Sequence, residues 1–126
     1  MASVKSESID SILVSVKKAL GISKDYTQFD PDIIMHINST FSVLHQLGVG
    51  TSEPYSITGN AETWDEFIVQ HNTENVRSYV FMKVKMLFDP PSTATMHEAY
   101  ERQIQEMEWR LNVAVDPDEK ENQNGV

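Results

Sequence analysis

Asp89-Pro90-Pro91 lies between two amphipathic helical patterns and forbids their joining into one helix. Proline fixes φ, removes a backbone donor and drives the preceding residue out of the α region, so one helix ends at Phe88-Asp89 before Ser92 or Thr93 caps the next. Asp89, Pro90 and Pro91 therefore make a rigid hinge whose role is geometric. The helix beyond it, about Thr93 to Asn112, carries Met96, Tyr100, Ile104, Met107 and Leu111 on one stripe with charged residues around the rest. The helix before it, about Asn72 to Phe88, is apolar on nearly all sides, with Val76, Tyr79, Val80, Phe81, Met82, Val84, Met86 and Leu87 interrupted by Lys83 and Lys85. Such a helix is central or packed on several faces, and the lysine stems can lie along apolar surface.

Upstream, Ile9, Leu13, Val16 and Leu20 follow helical spacing from Ser6 or Ser8 until Gly21 supplies a stop. Asp30-Pro31 opens a second helix, with Asp as cap and Pro at the first helical position. Its stripe is Ile34, Ile37, Phe41 and Leu44, and it runs out at Gln46-Leu47-Gly48. From Gly48 to Thr63 the residues read as a long loop, with a short extended piece at Tyr55-Ser56-Ile57. Thr63 then caps a short helix carrying Trp64, Phe67 and Ile68, with Glu66 placed as in a capping box. The fold class expected is all-α: a small bundle of four to five helices with a long irregular loop and an extended C-terminal tail. A chain of 126 residues holds one core, so residues 1–112 form the helical domain and residues 113–126 an acidic tail.

Charge and motif content narrow the chemistry. A net charge of -9 and a pI near 4.7 argue against holding nucleic acid, which requires clustered cations. With no cysteine there are no disulfides and no thiolate metal sites, which fits a protein assembled inside a cell. The N-terminus lacks an apolar signal core and no run approaches the roughly 20 apolar residues that span a bilayer. A soluble protein is expected. His36, His45, His71 and His97 fall in no metal-ligand spacing, and Gly48-Val49-Gly50 follows a helix and reads as its stop rather than as a phosphate loop. Asp30/Asp32 and Asp116/Asp118 sit at a helix start and in a tail, so capping and solvation explain them better than acid/base work. No enzymatic activity, cofactor or metal is expected.

Three features could meet a partner. Trp109 falls outside the apolar stripe of its helix, beside Arg110, and is either tucked beneath a neighbouring element or an interface anchor, the reading favoured here. The loop after Gly48 is either a contact surface or a plain connector. The tail, with four acids and one lysine, is a solubilising end that binding can order.

The strings FDPDIIMHIN (Phe29 to Asn38), HQLGVG (His45 to Gly50), TWDEF (Thr63 to Phe67), SYVFMKVKMLFDPP (Ser78 to Pro91) and EWRLN (Glu108 to Asn112), in this order, resemble the head-to-tail connector proteins of long-tailed bacteriophages. The resemblance covers about Ile9 to Asn112. It implies a virion structural protein, assembled in the host bacterial cytoplasm. Such an adaptor forms a ring, dodecameric by this resemblance, below the portal, extending the DNA channel and offering a docking platform to the stopper or tail. It places Trp109, Arg110, Leu111, Asn112, Val113 and Val115 on the portal side. Gly48, Val49, Gly50, Tyr55 and Ile57 become the loop that meets the next tier. DNA would pass without specific binding. Two other readings stand beside it: a small helical regulatory module of phage origin that binds one protein through Trp109 and the tail, and a packaging accessory acting on DNA.

Overall fold

Proline, glycine and cap residues set the helix ends in the computed structural model, which describes residues 11–67 and 73–115. Among these residues five helices follow in order: α1 Ile12–Ala19, α2 Asp30–Gln46, α3 Trp64–Phe67, α4 Thr73–Phe88 and α5 Ala94–Val115. Among the described residues there is no strand beyond one isolated antiparallel bridge between Ser11 and Thr63. The architecture is an all-α bundle.

Ser11 caps α1 by accepting from the Val14 amide, and Gly21 at φ 80 closes its end. Ile9 lies outside the described residues. α2 departs from the expected start: Phe29 is the cap and makes no side-chain capping bond, while Asp30 is already helical and Pro31 follows it. The Asp30 carboxylate is engaged elsewhere, 2.8 Å from the Lys17 ammonium. Gly48 at φ 84 and the Val49 amide bond to the Leu44 carbonyl end α2 in a left-handed cap. α3 has one half of the expected box: Glu66 Oε1 accepts from the Thr63 amide at 2.9 Å, while the Glu66 amide donates to the Thr63 carbonyl at 3.2 Å. α5 continues to Val115, three residues past Asn112, because Val113-Ala114-Val115 carries no breaker and Pro117 disfavours helix only at Asp116.

α4 is central, packing against α1, α2 and α5. Its Val76, Tyr79, Val80 and Val84 are buried, and Phe81, Met82, Met86 and Phe88 lie against the same core. The other helices contribute Leu13 and Val16, then Ile33, Ile37, Phe41 and Leu44, then Ile104 and Leu111, joined by Trp64 and Phe67 of α3. Side-chain contacts fix the directions. Lys17 at the end of α1 meets Asp30 at the start of α2; Phe88 at the end of α4 stacks edge-on against Phe29 at 5.4 Å. Tyr79 donates to Glu108 at 2.7 Å, which sets α4 and α5 antiparallel, and Asn112 donates to the Leu47 carbonyl at 3.3 Å. The long helices α1, α2, α4 and α5 therefore run up, down, up and down.

Candidate functional site

The antiparallel run gives the bundle two distinct ends. At one lie the elbow, the start of α2 and the end of α1. Asp89 N bonds to the Lys85 carbonyl at 2.8 Å and the Lys85 ammonium reaches Asp89 O and Oδ2 at 3.0 and 3.2 Å, so the stop is closed before the prolines begin. Thr93 Oγ1 then accepts from Met96 N, capping α5. Tyr26, Phe29, Leu87 and Met96 are large apolar residues left exposed around this end. Tyr26 and Phe29 form an aromatic chain with Phe88 and His36.

At the other end lie the close of α5, the close of α2 and the loop that follows it. Trp109 is 67% exposed there, so it is not tucked beneath a neighbour within the chain. Arg110 beside it is exposed and pairs with Glu106 at 2.7 Å, one helical turn away. Leu111 faces the core, Asn112 holds the Leu47 carbonyl, and Val113 is half-buried. Of the six residues placed on the portal side, Trp109 and Arg110 present themselves most openly; Val115 ends the helix backbone.

The loop is built inward rather than outward. Val49 and Ile57 belong to the core and Gly50 is buried, so these three are not available on the surface of the folded chain. Tyr55-Ser56-Ile57 pairs with no strand; Asn38, in the middle of α2, takes the Ile57 amide at 2.7 Å and gives to its carbonyl at 3.0 Å. One amide side chain thus does for Ile57 what a partner strand would do. Tyr55 lies on Phe41 and Phe67 and donates to Glu66 at 3.1 Å. Burial, the hydrogen bond to Glu66 and the charges of Glu66 and Glu62 push its phenol above the usual range, so it stays a donor. What the loop leaves on the surface is Gly48 at its start, then Ser52, Glu53 and Pro54, and further on Ser56, Thr58, Asn60 and Ala61. Because α2 closes beside Asn112, the loop leaves the bundle at the Trp109 end.

Gly50 explains why the loop can lie so close. It adopts φ 100, and a Cβ built there would sit 2.6 Å from the Phe67 ring, which is itself stacked on Phe41 at 4.2 Å. Gly50→Ala is expected to lose about 2 kcal/mol from left-handed strain and ring displacement, seen as a lower denaturant midpoint. Gly21→Ala, also at positive φ but with nothing within 4 Å of a Cβ there, tests the strain alone.

Glu62 tethers the far side of the loop. Partial burial works against its ionisation, but hydrogen bonds from the Thr58 amide and hydroxyl, its own amide and the Gly59 amide outweigh this and hold its carboxyl below the usual carboxylate range. A depressed folded value adds stability above the unfolded value of about 4.3 and loses it as pH falls through the folded one. Glu62→Gln should therefore cost most near neutrality, and its difference from wild type in urea unfolding should narrow below about pH 4.

Two features escaped the sequence. Lys17, 1% exposed, is the larger: its ammonium lies 2.6 and 3.1 Å from the Tyr26 and Lys24 carbonyls and 2.8 Å from Asp30. Helical spacing gives no signal for it, because a lysine after Val16 reads as solvent-facing. Trp64 is the second, fully buried with Nε1 donating to Ser15 Oγ at 2.8 Å and the Arg77 guanidinium 5.3 Å above its ring. His36 and His45 are half-buried, His97 pairs with Glu101 at 3.2 Å, and His71 lies outside the described residues. Among the described residues no three His, Cys, Asp or Glu groups come together as a metal site, and no helix is long and apolar enough to cross a membrane.

No curated protein and no solved structure matches the chain. A protein-family model described as phage connector protein matches residues 12–118, from the first residue of α1 through α5 to just past its end. With that match spanning most of an all-α bundle, the chain belongs to the phage connector protein family.

Proposed function

We propose that this connector protein is the adaptor of the head-to-tail junction, a non-enzymatic ring below the portal that continues the DNA channel and seats the stopper or tail. As a member of its family it is a structural protein that works among phage head and tail proteins in the virion. What carries the finer reading is apolar surface left in water at both ends of one bundle: Trp109 at one, and Tyr26, Phe29, Leu87 and Met96 at the other. An intermediate tier needs two unlike faces, and α5 separates these by roughly 22 Å between its start and Trp109.

In this reading the Trp109 end docks on the portal. Trp109 and Arg110 make the contact, while Leu111 and Asn112 anchor the helix behind them in the core and on Leu47. Ser52, Glu53 and Pro54 border the same end, which leaves the elbow end for the next tier. The net charge of -9 suits a channel wall that DNA must slide past, since clustered cations would hold its phosphates. Quantitative mass spectrometry of purified virions tests the assignment. The chain should be present in a fixed number of copies per particle, equal to or commensurate with the portal; its absence from particles would favour a regulatory module bound to one non-virion protein.

A further inference from the structure

On the side of the bundle, between the two ends, α1 and α4 enclose a trough of about 860 Å³. A second hollow of about 380 Å³ lies between α4 and α5, and the two share Ala19 and Phe81 in their walls. Together they run across three helices. Their floor includes Ile22, Phe81 and Met107, and their rims carry Lys18, Lys24, Arg77 and Lys85. The chain has 19 acids against 10 lysines and arginines, yet no acidic residue among those described lines either hollow. Lys85 is already paired with Asp89 and Arg77 lies over the Trp64 ring, so the cations that stand exposed at the larger hollow are Lys18 and Lys24.

We infer that this trough receives the acidic C-terminal segment, residues 116–126, of a neighbouring copy. The inference rests on the ring reading above. A closed ring joins each subunit to the next through two different surfaces, so a cationic lateral trough needs an anionic counterpart elsewhere on the same chain. The C-terminal segment is that counterpart. It follows directly on α5 and carries Asp116, Asp118, Glu119 and Glu121 against the single Lys120, with Pro117 and Val126 to set on the apolar floor. Eleven residues reach at most about 35–40 Å when extended, enough to leave one bundle and lie across the next. Lys18 and Lys24 are exposed, so their charges act at the rim, setting register and association rate, and salt weakens them.

Two full-length variants test this by sedimentation equilibrium at low and high salt. Lys18→Glu with Lys24→Glu reverses the trough and keeps the tail. Asp116→Asn, Asp118→Asn, Glu119→Gln and Glu121→Gln neutralise the tail and keep the trough. The wild-type chain should self-associate in a salt-sensitive way, and each variant alone should do so about tenfold or more weakly. An equimolar mixture of the two should form a heterodimer that stops at two, because its unused trough is reversed and its unused tail neutral. Self-association unchanged in both variants, a wild type that stays monomeric at low salt, or a mixture that gives no heterodimer would each overturn the inference. The last result includes the case in which each tail folds onto its own trough. If the mixture pairs but the protein is absent from virions, the trough contact stands and the adaptor reading falls. If the protein is in virions but the mixture does not pair, the reverse holds.

Discussion

Lys17→Ala is expected to destabilise the chain by roughly 3–5 kcal/mol, the largest effect of any single substitution considered for the fold. Lys17 is almost wholly buried at the end of α1; its ammonium donates to the Lys24 and Tyr26 carbonyls and forms an ion pair with the Asp30 carboxylate 2.8 Å away. Removing it strands two carbonyl acceptors, leaves the Asp30 carboxylate without its countercharge and empties the volume of a long side chain. The loss falls where α1, the connector after it and the start of α2 meet, so the corner that orients the first two long helices opens. For a domain of this size the melting temperature should fall by about 10–15 °C, which circular dichroism would record. Lys17→Met separates the causes. It keeps most of the stem, so a loss close to that of Lys17→Ala would assign the cost to stranded acceptors, and a small loss would assign it to packing. Asp30→Asn should cost less than Lys17→Ala, since the lysine keeps both carbonyls and the Asp30 side chain retains some contact with water.

Trp109→Ala should do the opposite: leave the fold intact and abolish assembly. Trp109 is 67% exposed on the outer face of α5, so truncation removes no core contact, and thermal stability should stay within about 0.5 kcal/mol of wild type. Tryptophan and arginine are, with tyrosine, the residue types enriched in interface hot spots, where one truncation costs about 2 kcal/mol or more. In a ring each copy repeats the contact, so the penalty per subunit is multiplied and incorporation into particles should drop below detection. Arg110→Ala should weaken incorporation less, since Arg110 must give up its pairing with Glu106 to reach a partner. Trp109→Ala incorporated at the wild-type level would remove Trp109 from the interface.

The parts of this molecule written in local sequence were readable before the structure. Gly21, Gly48, Thr63 and Asp89-Pro90-Pro91 each act within a few residues of themselves, and each ends or caps a helix where its chemistry requires. The centrality of α4 was equally plain, because only a helix packed on several faces carries so few polar positions. What was not readable depends on residues far apart in the chain. Asn38 holding Ile57, Lys17 under the Tyr26 turn and Gly50 against Phe67 are each fixed by how the loops return over the helices. The apolar residues of the 48–59 loop illustrate the limit: in a stretch without periodicity, Val49 and Ile57 give no sign of facing the core rather than a partner. Trp109 was legible as an exception to its stripe, and the structure puts it in the open. Its nearness to the close of α2 was not, since that depends on the bond from Asn112 to Leu47, 65 residues away in the chain.

The central claim is that this connector protein closes into a ring on the portal through the Trp109 end of α5. Electron microscopy of the full-length chain mixed with its portal protein tests it most directly, with the Trp109→Ala chain as control. The account predicts a ring of density added to one face of the portal, rotationally ordered, with the end of α5 against the portal and the elbow pointing away, and no added density with the variant. Bare portals alongside monomeric chain, or a bound ring with the elbow end against the portal, would contradict it.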